Sequence, residues 1–272
     1  MLRIKEPIRN CSHSPDQMLK QIRTIAYYTL LEALRNRLIW LVVAIALIGI
    51  GISGFLNALA LTESREIQLA LLASILRFSA IFILATFVVT SLVREFNDKG
   101  LELALALPLP RAGYLFGKLA GFATLAVLPA ILFGLLVALL APAAQCLLWT
   151  LSLICECWIV AAFSMLCVLT FNQNMAALSA VMGFYVLARS IATLQLIGSG
   201  PMIDDTSSQR VINFVIDGVS VVLPHLDSFT CTDWLVYHTG DWSTLAQVAV
   251  QSGIYLALLA GAGLFDLYRK NI

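Results

Sequence analysis

The stretch REFNDKGLELALALPLPRAGYLFGK, residues 94–118, separates two long apolar segments and carries four basic residues, Arg94, Lys99, Arg111 and Lys118. Basic residues in short loops mark the cytoplasmic side of a membrane protein. Residues 95–107 predict a short helix, and Pro108 and Pro110 end it, because proline lacks an amide donor and clashes with the preceding turn. A charged cluster, a glycine, a Leu-rich helix and a Pro-x-Pro-Arg stop between two apolar runs make this a connection between two membrane spans. The expected fold is therefore all-α and polytopic.

Composition points the same way. Of 272 residues, 60% are hydrophobic and 12% charged, against about a quarter charged in soluble domains. The net charge of +1 argues against a nucleic-acid partner. The chain has three histidines and no Gly-x-x-x-x-Gly-Lys-Ser/Thr loop, so it is not a self-contained ATPase. If ATP drives it, another chain binds the ATP. The six cysteines include no Cys-x-x-Cys pair. Cys155, Cys157 and Cys167 lie in apolar runs, where a thiol acts as a small hydrophobe, and a disulfide scaffold is excluded.

Working outward, residues 1–13 read as a flexible polar tail. Ser14 as N-cap, Pro15 at the first helical position and Gln17 closing a capping box start a helix, and residues 14–37 form an amphipathic segment. Its apolar face is Ile22, Ile25, Ala26, Thr29, Leu30, Ala33 and Leu34, a pattern suited to the membrane interface. Residues 38–272 hold six apolar segments, about 38–60, 69–93, 119–140, 146–170, 176–197 and 246–267, each near the ~20 residues needed to cross a bilayer core. Gly49, Gly51, Ser53, Gly54 and Ala58 give the first a small-residue surface that permits close helix contact, within the chain or at a dimer seam. Pro129 predicts a kink in the third. Between the fifth and sixth lies a polar region, 198–245, with six aspartates and one arginine. Within it, residues 211–223 are apolar but too short to span, which predicts a half-buried or re-entrant element. Lys and Arg number seven before the first span, four in 94–118 and two at the C-terminus, thirteen in all, against Arg65 and Arg210 on the opposite side. Both termini are thus expected in the cytoplasm, which six spans satisfy.

The order of elements resembles the permeases of ABC transporters of the type-two exporter class. The resemblance covers an N-terminal elbow helix, six spans, a coupling loop at 94–118 and a large external region before the last span. Leu101 stands where the family often has Thr. Residues 222–229, VLPHLDSF, are similar to a Leu-Pro-Asn-Leu-x-x-Phe stretch before the last span in one branch, with His225 in place of Asn. The resemblance implies a plasma-membrane export subunit without catalytic residues. It implies a second permease copy or homologue, surrounding lipids, and a separate ABC ATPase holding ATP and magnesium. Glu95, Asp98, Lys99, Leu101, Glu102, Leu105 and Arg111 are the expected ATPase-coupling residues. A membrane anchor that relays ATPase motion as a signal, without transport, would carry the same loop.

Other candidates are weaker. Cys155, Glu156 and Cys157 cannot share one helix face. His225, Asp227, Cys231, Asp233 and His238 are ligand types within a short stretch, yet their spacing matches no zinc pattern. No histidine lies in a span to serve Ser164 or Ser179, so an embedded enzyme is a poor reading. Cys146 and Cys231 both belong near the outer face, where a disulfide could form. Three charges fall inside spans, Arg77, Glu156 and Arg189, at about 12–15 Å below the outer boundary by a ~1.5 Å rise. A charge at the bilayer centre costs about 2.5–3.5 kcal/mol on insertion scales. Glu156 is therefore expected to pair with Arg77 or Arg189, the remaining arginine facing a polar interior or a dimer seam. A positively lined path would suit an anionic substrate, while a charge pair that fixes helix register explains the residues equally well.

Overall fold

A computed structural model describes residues 15–36, 38–59, 64–98, 111–171, 173–198 and 207–269. Among these residues it contains helices and no strand. The helices are α1 (Pro15–Arg35), α2 (Leu38–Leu59), α3 (Ser64–Asn97), α4 (Arg111–Ala138), α5 (Ala143–Phe171), α6 (Asn174–Gly198), α7 (Ser207–Val222), α8 (Thr232–Val236) and α9 (Trp242–Arg269), with a 3-10 turn at Leu226–Ser228. By length and composition α3, α4, α5, α6 and α9 can each cross a membrane. A sixth span is added if Ile22–Arg35 and Trp40–Ile52, bent at 56°, count as one.

The helices outrun the apolar segments of the sequence. α3 starts at Ser64 rather than 69 and keeps Arg94 and Glu95 in its last turns. α4 starts at Arg111 rather than 119, so Lys118 lies two turns inside it. The connection expected over 94–118 is correspondingly shorter. Hydropathy locates the part of a helix that tolerates hydrocarbon, whereas the i→i−4 ladder continues into polar flanks. α4 also runs unbroken through Pro129.

The packing centre is α5, which touches α3, α4, α6, α8 and α9. Trp149, Leu153, Cys157, Ile159 and Val168 on it are fully buried, as expected of a helix apolar on all sides. Around it stand Leu76, Ile81 and Leu84 of α3 and Phe122 and Phe133 of α4, also fully buried. α9 is the span least covered by the rest of the chain.

α1 packs more extensively on α4 than any other pair of helices packs together. The reason is Gly117 and Gly121, one turn apart. A Cβ at Gly121 would stand 2.7 Å from Thr29 Cβ, and one at Gly117 would stand 2.9 Å from Ile25 Cβ. Small residues at this spacing let two backbones approach closely. Ile25, Ala26, Thr29 and Ala33 thus face the bundle, while Tyr27, Tyr28 and Leu31 face outward. Leu34, placed with them on one apolar face in the sequence, is exposed and does not join this contact. On α2 the expected small-residue surface divides: Gly49 packs against Leu72 and Leu76, whereas Gly51 and Gly54 face open space. Of residues 211–223, expected to be half-buried or re-entrant, all but Leu223 belong to α7, a helix laid on α6.

Candidate functional site

The three intramembrane charges come together around the chain between α7 and α8. Ser152 and Glu156, four residues apart, share one face of α5, and both are 0% exposed. α6 supplies Arg189 and α3 supplies Arg77. Arg189 Nη1 stands 3.6 Å from Glu156 Oε1. The same nitrogen donates to the carbonyls of Leu226 and, at 2.8 Å, Phe229. Arg77 Nη1 donates to the Thr230 carbonyl at 3.0 Å. Thr230 completes the cluster: its amide donates to Ser152 Oγ at 2.9 Å and its hydroxyl to Glu156 Oε2 at 2.6 Å. Tyr185, buried one turn before Arg189, faces the same three charges.

Two guanidinium groups therefore hold a loop by its backbone. The Leu226 carbonyl also accepts from the Phe229 amide at 3.2 Å, and the guanidinium groups add charged donors to a segment where an unsatisfied polar group costs several kcal/mol in the absence of water. Glu156 meets Arg189 rather than Arg77. Arg77, which is half-buried, donates to a carbonyl of its own chain. Thr230 adopts φ 42°, an uncommon conformation for a β-branched residue that persists only when its surroundings fix it. Its two bonds to α5 do so.

A second polar cluster lies at the opposite end of α3. Glu32 Oε1 of α1 accepts from Arg94 Nη2 at 2.6 Å and from Ser91 Oγ at 3.0 Å. Lys118 Nζ, buried at the start of α4, is 2.7 Å from Glu95 Oε2, and buried Tyr114 faces that carboxylate. These bonds fasten α1, α3 and α4 together where the 98–111 connection leaves and returns. Of the expected coupling residues, Glu95 is engaged in this ion pair and Asp98 is exposed at the end of α3. Arg111 opens α4, and Lys99, Leu101, Glu102 and Leu105 lie outside the described residues.

The ligand-type residues of 225–238 do not converge, and no three of them form a metal site among the described residues. Cys231 Sγ donates to the Asp227 and Ser228 carbonyls, and burial pushes its thiol above the ordinary range. Cys146 and Cys231 are both free thiols. Arg65 Nη2 donates to the Leu140 carbonyl at 3.2 Å, beside a cavity of about 590 Å³ lined by Leu69, Leu140, Leu235 and His238.

Thr230, Ser152 and the three carbonyl acceptors, of Leu226, Phe229 and Thr230, were absent from the sequence-based set. The one available signal was the four-residue interval from Ser152 to Glu156. Backbone acceptors leave no trace in a sequence.

Set against known families, residues 56–264 match the one described as ABC-2 family transporter protein. The chain belongs to the ABC-2 transporter family. A search of curated proteins found no match. The matched region runs from the end of α2 to the last turns of α9 and takes in the Arg77–Glu156–Arg189–Thr230 cluster and the Glu95–Lys118 pair, but not Glu32 of α1. As an ABC-2 permease, the chain is a multi-pass membrane subunit and not itself the catalytic one.

Proposed function

We propose that this permease exports an unidentified substrate across the plasma (inner) membrane as a dimer, with a second copy or a homologue, driven by separate ABC ATPase subunits that bind ATP and magnesium. Both termini lie in the cytoplasm, and so does the connection between α3 and α4. Family membership and the thirteen-to-two distribution of Lys and Arg support this reading. Asp98, Lys99, Leu101, Glu102, Leu105 and Arg111 meet the ATPase, and Glu95 anchors the segment that does so.

The observation that carries the coupling assignment is the Glu95–Lys118 ion pair at 2.7 Å, which joins the two helices flanking the segment. Together with Glu32–Arg94 it makes α1, α3 and α4 move as one when the segment is displaced. Changing Glu102→Lys with Leu105→Asp is expected to release the ATPase on co-purification or to uncouple its hydrolysis. Survival of both binding and coupling would overturn the assignment. ATP-dependent movement of a solute in vesicles distinguishes transport from mechanical signalling.

A further inference from the structure

The cavity of about 590 Å³ beside Arg65 lies at the end of the bundle opposite the α3–α4 connection. Its size falls within the ~300–1,000 Å³ of small-molecule sites. Three separate parts of the chain wall it: the first turns of α3, residues 138–142 at and after the end of α4, and the end of α8. Leu69 and Leu235 give it a buried apolar floor. Three ionisable side chains line it with them, Arg65, Glu66 and His238.

The fold positions these three groups without consuming them. The bond from Arg65 Nη2 to the Leu140 carbonyl fixes the planar guanidinium at the end of α4 and leaves its other N–H donors open. Glu66, in the first turn of α3, favours the helix dipole, yet its carboxylate has no ion-pair partner among the described residues. Adjacent residues on a helix do not face each other, so Arg65 and Glu66 do not neutralise one another directly. The turn that carries His238 is tied to α5, because Gln145 Nε2 donates to the carbonyls of His238 at 3.4 Å and Gly240 at 3.3 Å. The imidazole itself makes no hydrogen bond among the described residues and is exposed.

A guanidinium beside an imidazole suits an acid group, which arginine can bind through two parallel bonds. A carboxylate suits a primary ammonium, which brings three donors. A ligand of one charge leaves a mismatch, since Glu66 repels an anion and Arg65 repels a cation. We propose that this cavity binds a zwitterion that carries a primary ammonium and a singly charged acid group, with an apolar portion against Leu69 and Leu235. The acid group meets Arg65 and His238, and the ammonium meets Glu66. Two sources share this chemistry, a free amino acid with an apolar side chain and the headgroup of phosphatidylethanolamine. The inference holds whether the permease transports or signals.

The test uses the full chain purified in dodecyl maltoside, in two arms. In one, native mass spectrometry counts retained lipid after incubation with equal amounts of phosphatidylethanolamine, phosphatidylcholine and phosphatidylglycerol of identical acyl chains. In the other, equilibrium dialysis measures binding of radiolabelled leucine. Selective retention of phosphatidylethanolamine assigns the headgroup, and saturable binding of leucine assigns the free zwitterion. In the arm that binds, Arg65→Gln and Glu66→Gln are each expected to lower binding about tenfold, the loss of one charge-assisted hydrogen bond. His238→Asn, which tolerates the same backbone conformation, is expected to lower it less. Equal retention of the three lipids without leucine binding overturns the proposal, and so does a preference for phosphatidylglycerol. If Arg65→Gln fails to fold, Glu66→Gln decides alone, because Glu66 is exposed and pairs with no described residue. Unchanged binding in Glu66→Gln overturns the proposal.

Discussion

The hydroxyl of Thr230 donates to the Glu156 carboxylate at 2.6 Å, although 74 residues, including the whole of α6 and α7, separate the two in sequence. This bond and the amide bond to Ser152 draw the 226–230 segment onto α5. Removing the hydroxyl while keeping the shape leaves a buried carboxylate oxygen without its donor, at a cost of about 1–3 kcal/mol. Thr230→Val is expected to lower the melting temperature in detergent, and Thr230→Ser, which keeps the donor and sheds the branched methyl, is expected to match wild type or exceed it. Equal loss in both variants would show that the hydrogen bond contributes nothing.

The pairing of Glu156 is specific. Breaking a buried ion pair costs about 3–5 kcal/mol, so Glu156→Gln is expected to reduce the yield of folded protein. Combining Glu156→Arg with Arg189→Glu is expected to recover part of it, because those groups are 3.6 Å apart. The same exchange with Arg77→Glu is expected to recover none. Size-exclusion yields of the two double variants decide between them.

How much of this was legible in the sequence differs from feature to feature. Hydropathy and the Lys/Arg bias located the apolar segments, because lipid admits only chains whose backbone bonds are satisfied internally. They also marked Arg77, Glu156 and Arg189 as charges that need partners. They could not choose Arg189 over Arg77 for Glu156, since charge alone makes the two arginines equivalent. The choice is made by where the 226–230 carbonyls sit. The docking of α1 leaves a trace in Gly117 and Gly121, which are spaced for close contact, whereas the glycines of α2 mislead, since Gly51 and Gly54 touch nothing. Burial of Lys118 was hidden because its partner, Glu95, lies on the other side of the α3–α4 connection.

Gly121 offers a direct check on that docking. Adding a Cβ there brings it to 2.7 Å from Thr29 Cβ, and overpacking of this kind costs about 1–3 kcal/mol. Gly121→Ala is expected to lower the melting temperature, and adding Thr29→Gly to restore much of it. Failure of the second change to help would mean that the strain is taken up elsewhere.

The Glu95–Lys118 pair should behave as one unit. Glu95→Gln and Lys118→Met are each expected to destabilise the protein, and the double variant to be less affected than the sum of the two. A coupling energy within the usual range for contacting residues, about 0.5–3 kcal/mol, is expected from a double-mutant cycle. A value of zero would leave the pair with no role in joining α3 to α4.

α3 is 34 residues long, about 51 Å at ~1.5 Å per residue, against a hydrocarbon core of about 30 Å. Arg65, Arg77 and Arg94 are thus stations on one continuous shaft: a carbonyl at one end, the Thr230 carbonyl part-way along, and Glu32 at the other end. α3 is one unbroken helix through all three. A turn of this shaft about its axis at Arg94 would be felt at the contact between Arg77 and the Thr230 carbonyl, on the far side of the helix's midpoint.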